Sequence, residues 1–176
     1  MGVPTIDSDL LAREAVAPGS AGLTAVVDRF GREMLDRGGA LDRQKMARRV
    51  FADPEARKAL EAVVHPEVRR MTDEWFAGLD ATRHPYAITD IPLLYEVGRD
   101  RDFEAVIVVA CAPDLQLQRL MKRDRLSEAD ARLRIATQLP IAEKSVRAQH
   151  VIRTDEGFED TNRQVAEIHA RLSRRG

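Results

Sequence analysis

Acidic side chains follow two short apolar runs that have the composition of buried strands. Residues 2–6 lead into Asp7 and Asp9, and residues 86–89 lead into Asp90. Ligands of open parallel sheets bind beyond the carboxyl ends of the strands, where these acids are expected to lie. An acid at that place can take a proton from a hydroxyl group or hold a metal-bound water near phosphate groups. The spacing therefore indicates a candidate site for proton transfer or phosphate chemistry.

The same acids also have a purely structural interpretation. Asp7 or Ser8 could cap a helix over residues 9–16, as short polar side chains often do. The loop over residues 90–96 could be a simple packed turn. The spacing alone favours the capping role for Asp7 and leaves Asp9 undecided.

Basic side chains are concentrated in one stretch around residue 125. They are Arg119, Lys122, Arg123, Arg125, Arg132 and Arg134. Guanidinium groups pair well with phosphate oxygens, so this stretch could form an arginine-bearing lid over a polyphosphate. The alternative is a solvated helical hairpin in which the arginines pair with Asp124, Glu128 and Asp130. Taken alone, the residues favour the hairpin.

The histidines and the cysteine show no spacing typical of metal ligands. His65 precedes Pro66 at a predicted joint between two helices, where a lone histidine usually caps or packs. The other candidates are His84, Cys111, His150 and His169. They stand too far apart for a ligand motif, so we expect no structural metal. Neither Gly-x-Ser-x-Gly nor Gly-x-Gly-x-x-Gly occurs in the chain.

Strand and helix patterns alternate along the chain, which predicts an α/β domain with a mostly parallel sheet. The expected strands are residues 2–6, 86–89, 104–110 and, more weakly, 150–153. Helices are expected over residues 9–16, 21–30, 43–51 and 128–138, from 54, from 66 to about 79, and after Gly157. The expected N-caps are Ser20, Asp42, Asp53 and Ser127, and Gly31 is expected to end the second helix.

The composition excludes several classes of protein. Apolar residues make up 44% and charged residues 32% of the 176, as in globular proteins. The net charge of −1 gives no overall attraction to nucleic acid or to an anionic membrane. The apolar run 105–112 is far shorter than the roughly 20 residues of a membrane helix. With one cysteine, Cys111, and no signal-peptide pattern, the protein is expected in the cytoplasm.

Together these segments resemble the bacterial dephospho-coenzyme A (dephospho-CoA) kinases. The matching strings are Val-Pro-Thr-Ile-Asp-Ser-Asp (3–9), Leu-Asp-Arg (41–43), Arg-Val-Phe-Ala-Asp-Pro (49–54), the helix joint 60–66, Asp-Ile-Pro-Leu-Leu-Tyr-Glu (90–96), and Arg123-Asp124 with Arg134-Ile135 and Gln138. No single string is decisive. Their order and spacing from residue 3 to about 157 are specific to the family.

The resemblance implies phosphorylation of the ribose 3′-hydroxyl of dephospho-CoA by ATP with Mg²⁺, the last step of CoA synthesis. It implies a P-loop-kinase fold: a parallel sheet with flanking helices, a helical CoA-binding part at about 31–85 and a lid at about 122–140. Asp9 is expected to be the general base, and Asp90 to stand near the magnesium ion. The expected dephospho-CoA contacts are Asp7, Arg13, His65, Leu93, Leu94 and Glu96. Arg123 and Arg134 are expected on the ATP side.

The sequence departs from the family pattern at two places. None of its ten glycines is followed by Lys, so it contains no Gly-x-x-x-x-Gly-Lys-Ser/Thr loop to cradle the phosphates of ATP. We therefore expect a truncated domain that lacks the first strand, P-loop and first helix, roughly 30 residues by the size of a βαβ unit. Such a chain is expected to be inactive alone. Thr154 stands where the family usually carries an Asn near adenine.

Three interpretations remain open from the residues. The chain is a truncated dephospho-CoA kinase, a non-catalytic descendant that binds a CoA-like ligand or a partner protein, or another nucleotide or nucleoside kinase of the same fold. The Asp-x-Asp, His-Pro and Pro-Leu-Leu strings argue against the third. Dephospho-CoA and ATP are the expected ligands. No nucleic acid or membrane partner is expected, and the oligomeric state is not predicted.

Overall fold

A computed structural model describes residues 2–174 of the chain. They divide into two compact units, the first ending at Ile91 and the second beginning at Pro92. The first unit contains, in chain order, β1 (Thr5–Asp7), α1 (Ser8–Glu14), α2 (Ala21–Phe30), a 3₁₀ turn (Arg32–Met34), α3 (Arg43–Ala52), α4 (Pro54–Ala77) and β2 (Ile88–Asp90). The second contains a 3₁₀ turn (Asp100–Asp102), β3 (Ile107–Ala110), α5 (Pro113–Asp124), α6 (Glu128–Ala136), α7 (Ile141–Arg147), β4 (His150–Arg153) and α8 (Phe158–Leu172).

The strands of the described chain form two separate parallel pairs. In the first unit β1 pairs with β2, and the register sets Asp7 opposite Asp90. In the second unit β3 pairs with β4, with Ile107 opposite His150. Parallel pairing of strands separated by helices confirms the predicted α/β class. It also brings the ends of β1 and β2, each with its acid, to the same edge.

Helices of the first unit begin where a short polar side chain accepts hydrogen bonds from the first free backbone amides. Each cap satisfies donors that the helix itself leaves unpaired. The caps are Asp7 for α1, Ser20 for α2, Asp42 for α3 and Asp53 for α4. Gly31 ends α2 with φ of 90°, a conformation that a side chain with a Cβ rarely adopts. These boundaries confirm the prediction from the capping residues.

Pro66 does not begin a new helix, contrary to the sequence expectation. It lies inside α4, which continues from Pro54 to Ala77. A proline within a helix costs about 3 kcal/mol because it removes one hydrogen bond and crowds the preceding turn. Buried side chains on both sides of Pro66, among them Ala56 and Val68, offset this cost by anchoring both halves of α4.

The first unit is held together by two apolar clusters that both include residues of α4. One is formed by Val16, Val26, Met34 and Met46, with Phe30, Leu41, Val50, Leu60, Val63 and Val64 around them. The other is formed by Leu11, Ala15 and Val68, with Ile6, Ala12, Val64 and Met71. The second cluster packs α1 onto α4. It thereby fixes the helix that follows the acids of β1.

The second unit has its core on β3. Tyr95, Val106, Val108 and Ala110 are buried there, with Leu94, Leu139, Ile141, Ala148 and Val151 packed around them. Helix α8, the helix expected after Gly157, lies against β4 and buries Ile168. Gln164 of α8 also reaches the backbone of β4. Its amide oxygen accepts from the Arg153 N–H at 2.8 Å, and its amide nitrogen donates to the Arg153 carbonyl at 2.9 Å.

No helix among residues 2–174 combines the length and the apolar character that a bilayer crossing requires.

Candidate active site

Asp7 acts as the N-cap of α1. Its Oδ1 accepts hydrogen bonds from the backbone N–H of Asp9 at 2.7 Å and of Leu10 at 3.3 Å. This is the structural role that the spacing favoured. The carboxylate remains exposed, and its negative charge lies beside the end of β2.

Asp90 at the end of β2 is influenced by both acids of the β1 end. Partial loss of solvent around its carboxyl raises the pKa of Asp90 above its ordinary value, and the negative charges of Asp7 and Asp9 raise it further. Three carboxylates thus interact at one edge of the β1–β2 pair. Such a concentration of negative charge favours a bound cation or protonation of one of the carboxylates.

Asp9 and Arg13 lie on one exposed face of α1. They are four residues apart, which sets their side chains next to each other on the helix surface. Within the described chain, neither side chain forms an ion pair or accepts or donates a hydrogen bond. Leu10, half exposed, adjoins them. A carboxylate and a guanidinium group that are both unpaired can each contact a ligand.

His65 lies on the exposed surface of α4, one residue before Pro66. Val64 and Val68, on either side of it in sequence, pack in the cluster that joins α4 to α1. The same packing therefore holds His65 and the helix of Asp9 in one unit.

The loop from Pro92 to Glu96 opens the second unit, and its residues differ in exposure. Leu93 is 44% exposed, whereas Tyr95 is buried in the core and Leu94 packs against it. Arg147 stacks over the Tyr95 ring, with its guanidinium carbon 4.3 Å from the ring centre. Pro92 and Leu93 are therefore the side chains that this loop presents to solvent.

Glu96 points into the second unit and forms an ion pair with Lys144, with Oε1 and Nζ 2.6 Å apart. The same oxygen accepts from the Leu139 N–H at 2.9 Å. Burial disfavours the charged carboxylate, but the hydrogen bonds from Lys144 and Leu139 outweigh this effect and hold the pKa of Glu96 below its ordinary value. Glu96 is thus ionised and internally paired.

Arg123 and Arg134 converge on one carboxylate in the hairpin of α5 and α6. Arg123 Nε lies 2.7 Å from Asp124 Oδ1, and an Arg134 terminal nitrogen lies 2.7 Å from Asp124 Oδ2. Hydrogen bonding from Arg123, followed by the charges of both arginines, lowers the pKa of Asp124. The pairing is that of the solvated hairpin, but both guanidinium groups remain more than half exposed and keep donors for a further anion.

Two features of the second unit were not identified from the sequence. The Arg119 guanidinium donates to the Thr154 hydroxyl oxygen at 2.8 Å and to the Thr154 carbonyl oxygen at 2.7 Å. These two hydrogen bonds connect α5 to the turn after β4. Lys144 is the other feature. The sequence contains a signal for the burial of Lys144. It lies three residues after Ile141 and four before Ala148, a helical spacing, and both of those residues pack against the core of the unit.

Residues 2–174 contain no group of three or more His, Cys, Asp or Glu side chains arranged to hold a metal ion.

Comparison with known proteins assigns this arrangement to a family. A family model described as dephospho-CoA kinase matches residues 1–160. The chain is 50% identical over 151 residues to a dephospho-CoA kinase of Anaeromyxobacter dehalogenans, covering 86% of this chain and 72% of the relative. It is 42% identical over 172 residues to one of Syntrophotalea carbinolica, covering 98% and 82%.

Two solved structures share the fold. A protein designated TT1252 from Thermus thermophilus superposes with a TM-score of 0.81 at 37% identity, covering 97% of this chain and 85% of that one. A dephospho-CoA kinase from Campylobacter jejuni superposes with a TM-score of 0.73 at 28% identity, covering 98% and 86%. The expected kinase-type arrangement of parallel strands and flanking helices is confirmed by these neighbours.

Proposed function

The chain belongs to the dephospho-CoA kinase family, and we propose that its residues bind dephospho-CoA and activate the ribose 3′-hydroxyl for phosphoryl transfer from ATP. The observation that carries this proposal is the pair of unpaired charges on α1. Asp9 and Arg13 are exposed and adjacent, lie beside the acids that end β1 and β2, and have no side-chain partner among residues 2–174. This arrangement suits a ligand that carries both a hydroxyl group and phosphate groups. Asp9 could take the proton of the hydroxyl, and Arg13 could bind the phosphates.

Asp9 is the proposed general base. Its carboxylate takes the proton of the 3′-hydroxyl as the hydroxyl oxygen attacks the γ-phosphorus. The new O–P bond forms while the bond between the γ-phosphorus and the bridging oxygen breaks, and ADP leaves with that oxygen. A base contributes about 10²–10⁴-fold to such a step, and most of the remainder comes from positioning and charge neutralisation.

Arg13, His65 and Asp7 in the first unit, and the loop of Leu93, Leu94 and Glu96 in the second, are the proposed dephospho-CoA contacts. Arg13 suits the anionic pyrophosphate, because a guanidinium group can donate two parallel hydrogen bonds to phosphate oxygens. The helical part over about residues 31–85 and the lid over about 122–140 keep the roles that the resemblance implies.

A magnesium ion with ATP fits the residues present. Magnesium is usually held by one or two carboxylates together with substrate phosphates, so it does not need a three-ligand protein group. Asp90, whose carboxyl pKa is raised by partial desolvation and then by the charges of Asp7 and Asp9, is the proposed carboxylate. The ion would neutralise charge on the transferring phosphate. Arg123 and Arg134 are the proposed cations on the ATP side.

One observation favours a second candidate, a non-catalytic protein that binds a CoA-like ligand. The 176 residues contain no Gly-x-x-x-x-Gly-Lys-Ser/Thr loop, the usual cradle for the β- and γ-phosphates of ATP. Both candidates require the dephospho-CoA site. They differ in whether phosphoryl transfer follows.

Isothermal titration of the chain with dephospho-CoA tests the shared part of both candidates. We expect binding, and we expect Arg13→Ala to raise the Kd about tenfold, the effect of losing about 1.4 kcal/mol of charge-assisted contact. Arg163→Ala is the matched control, because Arg163 is an exposed arginine of α8, outside the helical part and the lid, that pairs with Asp160 and Glu167 on its own helix. A folded wild-type chain that gives no heat with dephospho-CoA would sink the proposal.

A further inference from the structure

A single ammonium group contacts both ends of the loop over residues 92–96. Lys144 Nζ lies 2.6 Å from Glu96 Oε1 at the end of the loop and 3.5 Å from the Pro92 carbonyl oxygen at its start. The lysine side chain is only 10% exposed and that of Glu96 17%. This contact spans about fifty residues of sequence, so it fixes the loop through the fold rather than through local structure.

The partner carboxylate also holds the connection between α6 and α7. Glu96 Oε1 accepts from the Leu139 N–H at 2.9 Å. The other oxygen, Oε2, is buried and has no hydrogen-bond partner among the described residues. Its charge is therefore balanced by Lys144 and the Leu139 amide. Removal of the lysine would leave a buried, uncompensated negative charge.

Stability alone does not explain why a lysine occupies this position. Ile141 and Ala148, on the same face of α7, pack against the apolar core of the second unit. An apolar residue at position 144 opposite an apolar residue at 96 would fill the space equally well. Buried ion pairs generally give no more stability than well-packed apolar side chains of similar volume, but they do impose a specific geometry. The geometry of the loop is thus the property that depends on this pair.

We propose that Lys144 is a positioning residue for the binding of dephospho-CoA. Lys144 holds residues 92–96 in the conformation that presents Leu93 to the ligand. This inference rests on the proposed function, in which this loop contacts dephospho-CoA. Leu94 and Tyr95 anchor the middle of the loop in the core, and Lys144 anchors its two ends. Lys144 itself does not touch the substrate.

Two variants separate positioning from stability. Lys144→Met leaves Glu96 buried and unpaired, so it should lower both the melting temperature and the affinity for dephospho-CoA. Glu96→Leu combined with Lys144→Met removes both charges, so the melting temperature should return close to that of the wild type. The double variant should still bind dephospho-CoA about tenfold more weakly or worse. Because Glu96 is itself one of the proposed contacts, faster exchange of the loop amides in the free protein, and not the Kd alone, attributes this loss to positioning.

Arg163→Met is the matched control. Arg163 is an exposed arginine of α8 that pairs with Asp160 and Glu167 on its own helix. Its loss should change neither the affinity nor the loop. Hydrogen exchange of the free proteins supplies a readout that needs no ligand: the amides of residues 93–97 and of Leu139 should exchange at least several-fold faster in the double variant than in the control.

The outcomes distinguish the inference from the proposed function. Absence of dephospho-CoA binding by the wild type would overturn the proposed function, and with it this role. Wild-type binding together with unchanged loop exchange in the double variant, whatever its Kd, would overturn the positioning role alone. A stable double variant with weakened binding and faster loop exchange is the result that supports it.

Discussion

At the scale of single residues, the carboxylates of α1 divide between two roles although they are two positions apart. Asp7 accepts hydrogen bonds from the helix backbone, and Asp9 has no internal partner within the described chain. A carboxylate that caps a helix is held in place and is less available as a base. This difference supports the proposal that Asp9, and not Asp7, takes the proton.

Asp9→Asn keeps the size of the side chain and removes its basicity. The measurement requires a chimera in which a Gly-x-x-x-x-Gly-Lys-Ser/Thr segment is fused before Gly2 to supply the phosphate cradle. In that chimera we expect kcat for conversion of dephospho-CoA to CoA to fall by about 100-fold or more, with little change in the Kd for dephospho-CoA.

Glu14→Gln in the same chimera is the control for charge alone, because Glu14 is an exposed acid of the same helix. It should leave kcat near that of the parent. Equal kcat values in the Asp9→Asn variant and the parent would remove Asp9 from the mechanism.

The raised pKa of Asp90 predicts a pH dependence of stability. In the unfolded chain Asp90 has an ordinary carboxyl pKa, whereas in the folded chain desolvation and the charges of Asp7 and Asp9 raise it. The folded state therefore binds the proton more tightly. The contribution of Asp90 to stability is fully present below the ordinary pKa and is lost as the pH rises through the raised value.

Denaturant unfolding, measured from below the ordinary carboxyl pKa to above the raised one, tests whether stability falls with pH in this way. The free energy of unfolding of the wild type should fall relative to that of Asp90→Asn as the pH rises. Asp9→Asn should lower the pKa of Asp90, followed by NMR of the carboxyl carbon, because it removes one of the negative charges that raise it. Glu14→Gln should not. A pKa for Asp90 at or below the ordinary value would contradict the electrostatic account.

The sequence predicted local roles well and long-range roles poorly at this scale. The capping role of Asp7 follows from its position just before a helix, so spacing identified it. The internal pairing of Glu96 depends on Lys144, which is brought beside it only when α7 packs on the core. No local pattern contains that information. The resemblance to the family predicted Glu96 as a ligand contact and did not indicate that its carboxylate pairs internally with Lys144.

At the scale of elements, helix starts in the first unit are set by side-chain caps. Asp53 is an example, since its Oδ1 accepts from the Glu55 N–H at 3.0 Å and the Ala56 N–H at 3.2 Å. Asp53→Ala should reduce the free energy of unfolding by about 1 kcal/mol, measured by urea denaturation. Asp53→Ser retains a capping oxygen and should retain most of the stability. Equal losses in both variants would assign the effect to the contact with Arg49 instead, which lies 3.4 Å from Asp53.

Pro66 marks the limit of local reasoning about elements. The rule that proline opens or ends a helix considers only the backbone of its own turn. Helix α4 continues through Pro66 because it buries side chains against α1 on one side of the proline and against α2 and α3 on the other. Whether packing outweighs a lost hydrogen bond depends on partners distant in sequence. An N-cap depends only on residues next to it in sequence, so the helix starts predicted from the caps were confirmed.

At the scale of the whole molecule, the dephospho-CoA side and the phosphate side of the reaction can be tested separately. The 176-residue chain should bind dephospho-CoA but show no measurable ATP- and Mg²⁺-dependent formation of CoA. Its acids and arginines cannot replace a ring of backbone amides and a lysine around the phosphates, and each 1.36 kcal/mol lost from the transition state slows the reaction about tenfold.

The chimera with the phosphate-binding segment should recover turnover, which serves as the positive control for this assay. Robust CoA formation by the 176-residue chain itself would show that its phosphate site is built differently. Binding without turnover in both proteins would favour the non-catalytic candidate.

The carboxamide of Gln164 has a consequence for the behaviour of the protein at high concentration. Its oxygen accepts from the Arg153 N–H and its nitrogen donates to the Arg153 carbonyl, so it occupies both backbone groups of Arg153 as a neighbouring strand would. A strand from another molecule that approached β4 at this point would have to displace an existing partner before it gained any hydrogen bond. Exposed strand edges are templates for intermolecular sheet growth, and natural proteins commonly obstruct them. The Gln164 side chain of α8 thus obstructs intermolecular pairing at this end of β4, where an additional strand would otherwise be needed.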